Sequence, residues 1–308
     1  WSEINKVIAD IKSKNLDTVA ISAAFSPMTS QPELDVAAQL RRAIPEVNIT
    51  CSHSLGRLGL LERENAALLN ASLLKFADSV VTAFTDALRQ RGLKCRFFVS
   101  QNDGTLMDAE FVRQFPALTF ASGPTNSLRG ACKLTGLNDA IVVDLGGTTA
   151  DIGILQGGFP RESNVVIDVG GVRTNFRMPD ILSLGLGGGS LVTDEGRSIG
   201  PESVGHNLVT QGLAFGGSVM TATDLLVAAG KTTIGPNQSP VRLPTQTIEN
   251  GLRTIASMLN QGIEKMMPSS DPMPVILVGG GAILVADKLE AASEMYCPEH
   301  SGVANAIG

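Results

Sequence analysis

Ala140-Ile-Val-Val-Asp-Leu-Gly-Gly-Thr-Thr-Ala-Asp-Ile-Gly-Ile-Leu155 is the stretch that decides how the rest of the chain is read. An apolar run ends in Asp144, two glycines and two threonines follow, and a second alternating apolar run begins. The pattern predicts two strands joined by a tight glycine turn. Gly146 and Gly147 have no Cβ, so they can take turn conformations closed to other residues and let an anion approach the backbone. Thr148 and Thr149 add hydroxyl donors. Asp144 and Asp151 put two carboxylates at the mouth of the turn, where a phosphate oxygen or a hydrated magnesium ion could sit. An ordinary hairpin satisfies the same residue preferences, so the surroundings have to carry the distinction.

Composition bounds the surroundings. With 308 residues, 43% of them hydrophobic and 18% charged, the chain can bury a sizeable α/β core, as two domains or one large one. A net charge of −6 without any Lys/Arg cluster argues against nucleic acid as a partner. By reading alone, no apolar stretch reaches the roughly 18–20 residues of a membrane span, and no signal peptide is visible. Cys51, Cys95, Cys132 and Cys297 are far apart and lack paired metal spacing, as are His53, His206 and His300. The expectation is reduced thiols in a cytoplasmic protein, with no His/Cys metal site and no membrane partner. The chain opens at Trp1 inside a helical pattern (Ile4, Val7, Ile8, Ile11), which reads as a truncated or processed chain.

The first part alternates helix and strand, implying a mostly parallel sheet with helical crossovers. Strands are predicted at 18–24, 48–52 and 96–100, with a helix after Pro32 that Pro45 stops. The longest helical pattern runs from about 62 to 91, with Leu69, Leu73, Phe76, Val80, Phe84 and Leu88 as its buried stripe and Gly92 as its cap. Gln101-Asn-Asp-Gly104 is a turn signal. From residue 140 the rhythm changes. Strands at 140–145, 150–155 and 163–169 follow so closely that they predict an antiparallel meander. Helices near 218–229 and 245–267 come next, then Pro274-Val-Ile-Leu-Val-Gly-Gly-Gly-Ala282, an apolar strand ending in three glycines.

Gly187, Gly188 and Gly189 could form a flexible loop or, with Ser190, an anion-binding nest. Gly279, Gly280 and Gly281 directly follow a buried strand, where open α/β sheets bind ligands. Neither segment has dinucleotide-fingerprint spacing or the Gly-Lys-Ser/Thr of a phosphate loop. A bound nucleotide would rest on glycine backbone and threonine hydroxyls instead of a lysine.

Several of these segments together resemble a known superfamily. Asp144-Leu-Gly-Gly-Thr-Thr-Ala-Asp151 resembles the second phosphate-binding hairpin of the actin-like ATPases. Val275–Ala282 resembles their adenosine motif, and Val303–Gly308 the connecting helix after it. The closer similarity is to the hydantoinase A/5-oxoprolinase family. It rests on Ser122-Gly-Pro124, the Gly187–Ser190 loop, Thr221-Ala-Thr-Asp224, Glu62-Arg-Glu64 and Asn102-Asp-Gly104, in order over nearly the whole chain.

The resemblance implies an actin-like (RNase-H-like) α/β fold. Residues 126–308 would form a near-complete domain with a mixed five-stranded sheet, and 1–125 part of a sister domain. It further implies ATP-dependent opening of a cyclic amide such as a hydantoin or 5-oxoproline, through phosphorylation of the carbonyl oxygen and attack by water. Asp144 would hold Mg2+ with Asp151 in support. Gly146, Gly147, Thr148 and Thr149 would cradle phosphate, and Gly279–Gly281 would pass under adenine and ribose. A second hydantoinase-type subunit or domain would be the partner.

The chain also departs from the family. No first phosphate hairpin precedes residue 140, so an isolated chain is expected to lack hydrolase activity until a segment or partner supplies one. The family's Asp-Ile-His-Thr reads Asp180-Ile-Leu-Ser183, and its Gly-Pro-x-Ser-x-Gly-x-Asp-Pro-Gly-Pro segment starts at Gly200 but becomes His206-Asn-Leu-Val-Thr210. These changes fall on substrate-side positions. The alternative reading is therefore a non-catalytic nucleotide-binding or assembly module with the same fold; a sugar-kinase-like phosphotransferase is a weaker third.

Overall fold

Helices and parallel strands alternate from the start of the chain. In the computed structural model, which describes residues 2–163, 167–175, 177–234, 241–285 and 288–308, they belong to the first of two units. That unit comprises Trp1–Ser122 and Glu162–Met178. Helices α1 (Ser2–Ser13) and α2 (Gln31–Ala43) flank the parallel pair β1 (Thr18–Ile21) and β2 (Asn48–Cys51). A parallel pair needs such a crossover, because a two-residue hairpin cannot reverse the chain twice. Ile11, Leu40, Ile44 and Val47 form the small core beneath it.

The long helix α3 (Leu60–Gln90) also packs on this pair, and Gly92, at φ +71°, follows its end as the sequence predicts. Its buried face is not the predicted one. Ala66, Ala67, Ala71, Leu74, Ala77 and Val81 are buried, whereas Phe76, Val80 and Phe84 are exposed and Leu69, Leu73 and Leu88 half-buried. Small side chains let the helix approach the strands closely, so the large apolar stripe faces outward. By length and composition α3 could cross a membrane, contrary to the sequence reading. Its buried polar residues behave otherwise: Arg63 Nε donates to Ser52 Oγ at 3.0 Å, and Asn70 Nδ2 to Thr50 Oγ1 at 3.0 Å. They tie the buried face of α3 to β2 and the residue that follows it.

Strands β3 (Phe98–Ser100) and β4 (Leu106–Asp108) pair antiparallel around the Asn102-Asp-Gly104 turn, so 96–100 does not extend the parallel sheet. The predicted third meander strand also lies elsewhere. Residues 164–166 fall outside the described residues, and Ile167–Val169 pairs with Val172–Thr174 in a hairpin of the first unit.

The second unit comprises Gly123–Arg161 and Pro179–Gly308. Helix α5 (Ser122–Thr135), preceded in the first unit by the short α4 (Ala109–Gln114), leads into β5 (Ala140–Leu145) and β6 (Ala150–Gln156). The short β7 (Phe159–Pro160) and β8 (Ile181–Leu184) share the outer edge of β6. On the other side β9 (Met273–Val278) runs parallel to β5, and β10 (Ala292–Tyr296) parallel to β9. The sheet is thus mixed, in the order β8-β6-β5-β9-β10 with β7 off the path.

Period-two alternation splits the residues of this sheet between two cores. Ile141, Val143, Leu145, Val275 and Leu277 face the helices Ala222–Ala228 and Thr245–Met266. Val142, Leu155, Ile276 and Val278 face Leu128 and Ala131 of α5. Covering both faces makes the strands nearly continuous apolar runs. It also leaves the turns at their ends as the accessible polar surface.

Candidate functional site

The tip of the β5–β6 hairpin collects the chemistry. Asp144 and Asp151 are partners in register, and the Gly146 N–H donates to the Thr149 carbonyl at 2.9 Å to close the turn. That amide is therefore spent, a correction to the expectation that it cradles phosphate. Gly147, Thr148 and Thr149 are exposed, and among the described residues their N–H groups and the two hydroxyls have no acceptor. Three amides and two hydroxyls at one tip suit a polyanion.

Gly187–Ser190 follows β8, whose last residue, Leu184, pairs with Ala150 of β6 next to this tip. Gly188 N–H donates to the Gly146 carbonyl at 3.1 Å and Gly189 N–H to the Gly147 carbonyl at 2.7 Å. Gly187 N–H goes to Ser190 Oγ at 2.8 Å, and Ser190 N–H returns to the Gly187 carbonyl at 3.0 Å. All four amides are taken, so the segment is neither a free loop nor an anion nest: it is a buried buttress for the turn. Glycine is required at 187, because a Cβ there would sit 2.4 Å from the Thr148 nitrogen. Thr223 holds the buttress from behind, its hydroxyl donating to the Gly188 carbonyl at 2.8 Å. Thr221 and Asp224 form the capping box that fixes that helix start, which explains the Thr-x-Thr-Asp pattern.

Gly279–Gly281 closes the site from β9. Gly279 has φ +86°, and a Cβ on it would lie 2.3 Å from Asp144 Oδ1. Gly281 N–H donates to the Leu145 carbonyl at 2.7 Å, while Gly280 is exposed with open space over it. The three glycine segments of the sequence thus converge on one hairpin.

The two carboxylates differ. Asp144 is half-buried, and no donor among the described residues reaches its carboxylate. Burial pushes the Asp151 carboxyl above its ordinary pKa, Ser183 pulls it back by donating its hydroxyl, and the charge of Asp144 pushes it up again. Ser183 was not among the residues the sequence singled out, and its place in the Asp180–Ser183 segment was the available signal. Leu182, where the family pattern has histidine, packs on the hydrophobic core.

A second cluster lies in the first unit. Glu33, Cys51 and His53 bring their ligand atoms within 4.8 Å of one another, a juxtaposition the scattered spacing concealed. Glu33 is fully buried and already accepts five hydrogen bonds. Ala23 N–H (3.0 Å) and the hydroxyls of Ser26 and Ser52 go to one oxygen; the His53 N–H (3.0 Å) and ring Nδ1 (2.7 Å) go to the other. Burial would raise its pKa, but these donors outweigh it and hold it at about 2. Burial and the Glu33 charge push the Cys51 thiol up, with Arg41 opposing. A saturated carboxylate and a protonated thiol make a poor metal site. The network is an anchor for the carboxyl ends of β1 and β2.

The mixed sheet, with the Asp144–Asp151 hairpin and the glycine turn after β9 at its end, has the actin-like ATPase fold. The crystal structure of the ATP-dependent caprolactamase from Pseudomonas jessenii superposes with a TM-score of 0.80 at 22% identity, covering 99% of this chain and 49% of that one. The model of the hydantoinase/oxoprolinase family matches residues 63–270, and the chain belongs to that family. The caprolactamase subunit alpha of P. jessenii is 27% identical over 276 residues, 85% of this chain and 39% of its own length. The acetophenone carboxylase gamma subunit of Aromatoleum aromaticum is 26% identical over 225 residues, 69% of this chain and 30% of its own. The chain spans less than half the length of these relatives.

Proposed function

We propose that this chain is the nucleotide-binding part of an enzyme that uses ATP to activate the carbonyl of a cyclic amide for hydrolysis. The observation that carries the reading is the convergence of Gly187–Ser190 and Gly279–Gly281 on the Asp144–Asp151 hairpin. A lactam carbonyl is a poor electrophile; moving the terminal phosphoryl group of ATP onto its oxygen, with ADP leaving, activates the carbon so that water adds there. The ring C–N bond then breaks as the nitrogen takes up a proton, and the acyl phosphate that remains is hydrolysed to carboxylate and phosphate. Such transfer is catalysed mainly by positioning and by neutralising charge.

The free amides and hydroxyls of Gly147, Thr148 and Thr149 would receive phosphate oxygens, and the open surface over Gly280 would take the adenosine. A divalent cation fits the donor set: among the described residues no donor reaches the Asp144 carboxylate, and Asp151 lies in register opposite it as a second acidic side chain at the turn. Magnesium held by Asp144 would supply neutralisation of phosphate charge. Ser183 fixes the rotamer of Asp151 and keeps that carboxylate beside Asp144. The caprolactamase and acetophenone carboxylase relatives are named as subunits, which supports a partner subunit for this protein as well.

Titration of the protein with Mg-ATP, followed by phosphate-release assays with and without cyclic amides and with the partner subunit present, tests the reading. Amide-stimulated phosphate release supports it. Nucleotide binding without such stimulation supports the non-catalytic module, and no nucleotide binding at all overturns both.

A further inference from the structure

Beside the phosphate-type turn, the second unit carries a hollow of about 560 Å³ that none of the motifs accounts for. Its volume lies within the roughly 300–1,000 Å³ of small-molecule sites. Strand Ser198–Ser203 and the segment after it supply Glu202, Ser203, Val204, Asn207 and Gln211; Leu191 and Val219 complete it. Asn207 lies in the His206–Thr210 stretch where the sequence leaves the family pattern, and Glu202, Ser203 and Val204 in the part just before it that keeps the pattern.

The hollow is tied to the hairpin tip by two main-chain hydrogen bonds in series. Val204 N–H donates to the Gly189 carbonyl at 2.9 Å, and Gly189 N–H to the Gly147 carbonyl at 2.7 Å. At the same wall a Cβ placed on Gly205 would come 4.0 Å from Thr148 Oγ1. The wall of the hollow at Ser203 and Val204 is therefore joined through Gly189 to the hairpin tip that carries the phosphate-receiving groups.

The lining has a definite chemistry. Asn207 and Gln211 each present a donor and an acceptor, the complement of an amide's carbonyl and N–H. Glu202 and Ser203 add acceptors, and Leu191, Val204 and Val219 offer apolar contact for ring methylenes. Among the described lining residues there is no Lys, Arg or His. A ligand carboxylate beside Glu202 would meet like charge with no basic side chain among the described lining residues, an arrangement that selects against anions.

We infer that this hollow is the acceptor site and that it takes an uncharged cyclic amide, excluding ring amides that bear a carboxylate. The inference rests on the proposed function and narrows its substrate class: hydantoin-like and simple lactam rings fit, 5-oxoproline does not.

A matched pair of probes tests it: pyrrolidone, the bare five-membered lactam, and 5-oxoproline, the same ring with a carboxylate. Each is titrated into the protein while the methyl resonances of Leu191, Val204 and Val219 are followed by NMR, with Mg-ATP titrated into a parallel sample. Pyrrolidone is expected to shift these methyls and to bind at least about tenfold more tightly than 5-oxoproline. Glu202→Gln should narrow that gap, and Asn207→Leu should weaken pyrrolidone binding; both positions are exposed, so the fold should persist. Equal or tighter binding of 5-oxoproline, shifts confined to other methyls, or no shift with pyrrolidone would overturn the inference. If pyrrolidone fails while Mg-ATP still perturbs Thr148 and Thr149, only the acceptor site falls. If pyrrolidone binds and Mg-ATP does not, the nucleotide reading falls instead.

Discussion

Asp144 and Asp151 stand opposite each other in register across the β5–β6 hairpin, two half-buried carboxylates on one rung near the end of a sheet covered on both faces. Their separate environments give them separate behaviour. Asp151 is held by Ser183, whereas Asp144 receives no hydrogen bond among the described residues and shares its space with Gly279.

Asp144→Asn should therefore weaken magnesium-dependent nucleotide binding by about tenfold or more, the scale on which metal-site substitutions act. Asp103→Asn is the control. Asp103 accepts from the Thr105 N–H at 2.9 Å in a turn of the first unit, so its charge serves only that turn. Calorimetric titration with Mg-ATP compares the two; equal losses would show that Asp144 is merely structural.

Gly279→Ala and Gly280→Ala should differ sharply although the residues are adjacent. At 279 a methyl group meets Asp144 Oδ1 and the Leu145 carbonyl, and φ is +86°. Loss of more than about 1 kcal/mol of stability and of nucleotide binding is expected. At 280 nothing lies within 4 Å, so stability should change by less than about 0.5 kcal/mol. Denaturant melts of the two variants decide the matter.

Asp151→Asn should stabilise the ligand-free protein at neutral pH, by no more than about 1 kcal/mol. A carboxyl whose pKa is raised on folding disfavours the folded state once it ionises, so removing it helps above that pKa. Asparagine can still accept from Ser183 through its carbonyl oxygen. As pH falls and Asp151 protonates, the gain should vanish. A gain that persists unchanged in acid would assign the effect to packing.

What could be read in the sequence follows from how local each signal is. The hairpin was legible because its glycines, threonines and apolar alternation are contiguous. Its buttress was not: Gly187 looks like any glycine-rich loop until Thr148 is seen to occupy the space of its missing Cβ. The strand expected at 163–169 failed for a topological reason, since the chain leaves the second unit at Arg161 and returns at Pro179. The stripe on α3 failed because hydropathy weighs large side chains, whereas close helix–strand approach selects small ones. Glu33 passes for an ordinary first-turn acid of α2, and only the fold brings Ser26, Ser52 and His53 to it.

The inverted face of α3 makes its own prediction. Phe76→Ser removes a side chain that is 68% exposed and should cost less than about 0.5 kcal/mol in this chain. Ala67→Leu adds three carbons where no surface is accessible and should cost about 1–3 kcal/mol. If the phenylalanine change proves the costlier in thermal melts, the hydropathy stripe is the buried one after all.

Glu33 provides the acid-sensitive element. Its pKa falls from an ordinary 4.5 to about 2 on folding, so the folded state favours its ionised form. The resulting stabilisation is complete above the ordinary value and is lost as pH falls from about 4.5 towards 2. A shift of this size corresponds to roughly 3 kcal/mol. Glu33→Gln keeps the shape but turns an amide nitrogen towards N–H donors that cannot rotate away, those of Ala23 or of His53. It should cost at least about 2 kcal/mol at pH 7. Because protonation of Glu33 weakens the wild type in the same way, the difference between the two proteins should shrink by pH 3. Urea unfolding of both proteins at the two pH values measures this, and a difference that stays constant would mean that Glu33 anchors β1 and β2 through shape and not through charge.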